Sequence, residues 1–166
     1  GDGNFAQTWE LEEGIVTPLG SLAAVEYFRS KGDERNLRSA VSSLMDERQA
    51  ARELNALAAQ AGNIFARKTV DTAKLEILAL LGDYPAYQKQ FERQVRDQHA
   101  PTVLEAKLSH DLAYYRYFDR IAALAELAPS LKTLIADLKG IPANATHASV
   151  DEFLRSLQTS YSAASH

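Results

Sequence analysis

Cysteine is absent from the chain, which excludes a disulfide scaffold, a thiolate metal site and a cysteine nucleophile. Glycine is scarce, eight in 166 residues, and most of it falls where helices are expected to end. No glycine loop that could cradle a phosphate is present, nor a Gly-x-Ser-x-Gly elbow or a Ser-x-x-Lys pair. A basic excess is also lacking. The net charge of -4 argues against general attraction to nucleic acid or to an anionic membrane. Apolar runs are only a few residues long, too short for direct membrane insertion. Helical metal sites need histidine and carboxylate at fixed spacings. Arg96, Lys107, Asn144 and Ala163 stand three residues before the four histidines, so neither metal nor cofactor is expected.

What is there fits one globular domain over residues 1–166, with 46% hydrophobic and 24% charged residues. The chain opens on Gly1-Asp2-Gly3-Asn4 and has Met45 as its single methionine. This leads us to expect a native N-terminus removed by processing or by excision. With the missing cysteines, it points to an exported or membrane-associated protein working outside the cytoplasm, periplasmic or secreted. Asn144-Ala145-Thr146 matches the glycosylation acceptor pattern.

Every strong periodic signal is helical, and the expected fold is all-α: an elongated bundle of five to seven helices with no sheet. Residues 1–16 form an ambiguous arm in which Trp9, Leu11, Ile15 and Val16 could dock while Glu10, Glu12 and Glu13 stay wet. Thr17-Pro18 reads as an N-cap and first helical position, and Gly32 as the stop, with Leu22, Val25, Tyr27 and Phe28 between them. Asp33 caps a long helix whose stripe is Leu37, Val41, Leu44, Ala51 and Ala58; Gly62-Asn63 ends or bends it. Over 34–61 it would span roughly 40 Å. Asp71 to Gly82 frames a segment apolar on most of its circumference, with Leu75, Ile77, Leu78, Leu80 and Leu81, and is therefore expected to be deeply buried. Pro85 starts a helix with Tyr84, Tyr87, Phe91 and Val95 inward and Lys89, Arg93 and Arg96 on a solvated face. Ala100-Pro101 breaks the chain, and one long helix follows over 101–128. Pro129 leads into a short helix ending at Gly140. After a loop at 141–148, Ser149-Val150-Asp151-Glu152 reads as a capping box for the last helix, and 159–166 as a frayed tail. Gly82-Asp83-Tyr84 with Phe91 resembles the turn and second helix of a tetratricopeptide unit. Tyr87, however, stands where a small residue is expected, and no second copy follows at the required period.

One constellation carries chemistry. On helix 101–128, Leu104, Leu108, Leu112, Tyr115, Phe118 and Ala122 form one apolar stripe, and Tyr114, Tyr117, Ile121 and Leu124 a second. Asp111 falls between them. A buried carboxylate must be paired or must raise its pKa, and Lys107, one turn earlier, is the nearest partner. The plain reading is a satisfied core. The sharper one is a tyrosine-lined ligand pocket with His110, Asp111, Tyr114 and Tyr117. His110 has no visible partner for acid–base catalysis. Arg48 and Asn55, projecting toward the seam of the first long helix, could fix register in a self-association interface; the plain reading is edge residues whose stems lie on the core. These features favour a non-enzymatic interaction or adaptor domain that meets another protein through a helix face. A small-molecule sensor is the alternative, and a tetratricopeptide-like scaffold is a lesser one.

Overall fold

The structure, a computed structural model, describes residues 2–98 and 104–165, with the side chains of 2–9, 94–98 and 105 outside that description. Every regular element among these residues is helical. They are α1 (Asp2–Lys31), α2 (Glu34–Arg67), α3 (Val70–Leu80), a 3-10 turn at Leu81–Asp83, α4 (Pro85–Gln98), α5 (Leu104–Tyr115), α6 (Phe118–Leu127), α7 (Leu131–Leu138) and α8 (His147–Ala164). With α5 and α6 counted as one interrupted rod, this is seven helices, within the expected five to seven.

The α1–α2 corner follows from local chemistry. Gly32 adopts φ 65°, which glycine reaches without a Cβ penalty. Its N–H donates to the Arg29 carbonyl and that of Asp33 to the Phe28 carbonyl, the pairing of a Schellman motif. Asp33 then caps α2, its Oδ1 accepting from the Asn36 N–H at 3.2 Å. The buried seam of α2 lies farther along, at Ala50, Ala51, Leu54, Leu57, Ala61 and Ile64, which recur at helical spacing.

The buried side chains gather into two cores. One joins Leu54, Leu57 and Ile64 of α2 to Ile77 of α3, Tyr87 of α4 and Leu104 and Leu108 of α5. The other joins Leu11 of α1 to Ile121 and Leu124 of α6, Leu134 and Leu138 of α7, and Val150, Leu154 and Tyr161 of α8.

Several boundaries differ from the sequence expectations, each for a physical reason. Pro18 does not start a helix but lies inside α1, fully buried. An internal proline costs on the order of 3 kcal/mol through its missing N–H and its clash with the carbonyl four residues back. Packing of α1 on α5 and α6 offsets that cost. α2 runs through Gly62-Asn63 to Arg67, and the next helix is preceded by Thr69 rather than opened by Asp71. α3 is not deeply buried: Ala73 and Ile77 are covered, whereas Leu75 is 71% exposed and Val70 and Leu78 also face outward. A helix apolar all round has more apolar surface than one neighbouring helix can cover. Tyr27 is likewise exposed rather than inward. The cap of α8 is Thr146, in reciprocal hydrogen bonds with Ser149, so the helix begins earlier than the Ser149 box implies. The C-terminal residues expected to fray are helical through Ala164, held by buried Tyr161, whose hydroxyl donates to Asp137 Oδ2 at 2.5 Å. The Ala100-Pro101 break and the inward position of Val95 lie outside the described residues.

The expected single helix 101–128 is interrupted at Arg116-Tyr117. Tyr117 takes φ -104° and ψ 0°, outside the helical region, and precedes α6. Asn55 Nδ2 of α2 donates to the freed Arg116 carbonyl at 3.3 Å and to its own Ala51 carbonyl at 2.8 Å. From the other side Gly14 of α1 sits against the break. A Cβ there would lie 3.1 Å from the Ala113 carbonyl oxygen and 3.3 Å from the Tyr117 ring.

Candidate functional site

Asp111 is 3% exposed and Lys107 8% exposed, one turn apart on α5. Lys107 Nζ lies 2.5 and 2.7 Å from the two carboxylate oxygens of Asp111. The Tyr87 hydroxyl of α4 donates to Oδ2 at 2.6 Å. Lys107 Nζ also stands 5.9 Å over the Phe91 ring, within reach of a cation–π attraction. Burial pushes the Tyr87 hydroxyl well above its ordinary pKa, and the negative charge of Asp111 adds to this, so the hydroxyl remains a donor. The carboxylate thus spends its acceptors on Lys107 and Tyr87, the paired arrangement that a buried charge requires.

Tyr87 is aimed there by α2. Glu53 Oε1 and Oε2 accept from the Ala86 and Tyr87 N–H groups at 3.4 and 3.2 Å, satisfying donors that open α4. Nothing in the sequence pattern singled out Glu53, because its partner positions are more than thirty residues away.

The four residues of the expected tyrosine pocket are not all brought together. His110 is 60% exposed, with Nδ1 3.5 Å from Asp111 Oδ1, and its ring leans on Tyr114 at 5.1 Å. Tyr117, beyond the α5–α6 break, is buried in the other core and hydrogen-bonds His147 Nδ1 at the start of α8. Burial and then the Asp151 charge push Tyr117 up to about 12, while burial and then the Arg116 charge lower His147. This pair was not foreseen, since Tyr117 reads as part of an apolar stripe and His147 as a loop residue.

Arg48 faces α6 of the same chain, and Asn55 the α5–α6 break at Arg116. Arg48 Nε is 2.8 Å from Asp119 and its Nη1 2.5 Å from Glu126, with Arg52 also on Asp119 at 2.7 Å. The register these residues set is that of α2 against α6.

A second feature is apolar and open. Leu11, Ile15, Val16 and Leu19 of α1 face Ile135 and Leu138 of α7, with Ile141 closing one end, around a groove of about 470 Å³. Val16 is exposed in it, and Glu12 and Lys139 stand at its rim. Residue spacings of four, one and three along α1 put its four side chains on one helix face.

Among the described residues no group of three His, Asp or Glu side chains is placed to hold a metal ion, and no helix is long and apolar enough to cross a membrane. No family model, curated protein or solved structure matches the chain.

Proposed function

We propose that the chain is a non-enzymatic interaction module that receives an apolar helix of another protein in the groove between α1 and α7. The open apolar groove carries this reading. Its volume lies in the range of about 300–1,000 Å³ common for binding sites, and both long walls are helical. An amphipathic helix inserts side chains at i, i+3, i+4 and i+7 into such a groove. Glu12 on the α1 wall and Lys139 on the α7 side give opposite charges at the rim, so a partner helix with basic and acidic flanks is oriented by them. An α2 of 34 residues, about 50 Å long, supports the reading of an elongated bundle with a long spine. The sensor alternative has less support, because Tyr87 and Lys107 occupy the Asp111 carboxylate and Tyr117 turns to His147.

The test uses a designed leucine-faced amphipathic peptide titrated into isotope-labelled protein, followed by nuclear magnetic resonance. Shifts should map to Leu11, Ile15, Val16, Leu19, Ile135 and Ile141. Val16→Asp, at an exposed position, should abolish them without lowering the melting temperature. Absence of peptide binding, with a small apolar probe instead perturbing the Asp111 and Tyr114 resonances, would favour the sensor.

A further inference from the structure

The first half of α2 is thinly covered. Between positions 19 and 49, across the α1–α2 hairpin, Val25 is the only buried residue. A helix with an apolar face is stabilised by burying it, and α1 covers only part of this one. Leu37, Val41 and Met45 follow at four-residue intervals along α2, and Met45 is 65% exposed. Beside them runs a second row at the same interval, Arg38, Ser42 and Asp46. The six residues line one shallow hollow of about 450 Å³. Arg38 Nε reaches only the Glu34 carbonyl of its own helix, at 3.4 Å.

The two rows are self-complementary when reversed. Turned end for end, plus–neutral–minus becomes minus–neutral–plus, and a large–medium–large apolar row remains one. We propose that this strip is a contact between two copies of the chain, packed antiparallel about a two-fold axis at Ser42. Arg38 of each copy then meets Asp46 of the other, and the two Leu37–Val41–Met45 rows face each other with an axial offset of about 3 Å, Val41 packing beside Val41 and Leu37 beside Met45. A parallel pairing places Arg38 against Arg38 and Asp46 against Asp46, so the charges select the antiparallel one. Farther out, Glu34 of one copy comes level with Ala50 of the other, where Lys89 and Arg93 of α4 line the adjoining hollow. The strip covers about 12 Å of helix, short of a standard interface, so the dimer is a weak one. It is separate from the α1/α7 groove and does not depend on it.

The experiment is sedimentation velocity over a concentration series with parent, Arg38→Glu, Asp46→Arg and the combined charge swap. The parent should pass from monomer to dimer as concentration rises, less readily at high salt. Because of the two-fold axis, each single reversal converts two attractive pairs into repulsive ones and should weaken association by about tenfold or more. The combined swap should restore it to near the parent. All four proteins should keep the same helical circular dichroism, since both positions are exposed, and Val16→Asp should leave the dimer unchanged. A parent that stays monomeric, single reversals without effect, or a swap that fails to restore association each overturns the proposal.

Discussion

The α2–α5 core and the core of α1 with α6–α8 are built from the same apolar residue types, yet they treat polar groups in opposite ways. The first encloses an ion pair: Lys107, Asp111 and the Tyr87 hydroxyl meet where water does not reach. The second keeps its charges at the margin. Tyr161 and Tyr117 bury their rings and send their hydroxyls out to Asp137 and His147, and Arg120 pairs with Asp151 at the surface. An enclosed pair is unforgiving, because removing one member strands the other, whereas a marginal group can turn to solvent. The first core should therefore depend on polar matching and the second mainly on volume.

The largest test of that difference is Asp111→Ala. It removes the carboxylate that pairs with buried Lys107, and should cost about 3–5 kcal/mol in urea unfolding. Replacing Lys107 by Met, Asp111 by Leu and Tyr87 by Phe together should recover most of the loss, since the three members of this buried cluster are then removed as a unit. Recovery no better than the single variant would mean that packing, not charge, governs this core.

Next comes a matched pair of hydroxyl deletions. Tyr87→Phe removes a buried hydrogen bond to a carboxylate and should cost about 1.5–3 kcal/mol. Tyr161→Phe removes a similar bond at the edge of the other core, where water can solvate Asp137, and should cost about 0.5–1.5 kcal/mol. Equal costs would erase the distinction between enclosed and marginal groups.

The smallest effect is a pH dependence confined to the second core. His147 titrates below its ordinary 6.5 in the folded protein because of burial and the Arg116 charge. The unfolded chain then binds the proton more readily than the folded one. The stability this histidine contributes is present above about pH 6.5 and is lost as pH falls through the lower folded value. A His147→Gln variant should lose that increment of acid sensitivity, read as a smaller difference between melting temperatures at neutral and mildly acid pH. An unchanged difference would place the acid sensitivity elsewhere.

Much of the fold was legible because its signals are local. Gly32 and Asp33 mark the corner between α1 and α2 and Pro85 opens α4, whereas of the expected α2 stripe Leu37, Val41, Leu44, Ala51 and Ala58 only Ala51 belongs to the buried seam at Ala50, Ala51, Leu54, Leu57, Ala61 and Ile64. Asp111 and Lys107 could be paired in advance because a four-residue spacing joins them on any helix. The third member, Tyr87, comes from another helix 24 residues away, and Glu53 positions it from a third. No spacing rule links such residues. α3 was misjudged for a related reason: apolar periodicity records what a segment could bury, not how many neighbours arrive to cover it.

Residue order alone determined that the chain is helical, that it turns at Gly32-Asp33, and that Lys107 is the nearest candidate partner for the Asp111 carboxylate, because backbone hydrogen bonding, capping and one-turn contacts act over a few residues. Tertiary structure decided that Pro18 stays within a helix, that the rod 101–128 breaks at Arg116-Tyr117, and that Tyr117 leaves Asp111 for His147. Each of these local irregularities is held by groups distant in sequence: Gly14 of α1 and Asn55 of α2 at the break, and α8 at the tyrosine. Local preference differs between such alternatives by a few kcal/mol, and packing of whole helices supplies a term of the same size or larger, so the distant contacts prevail.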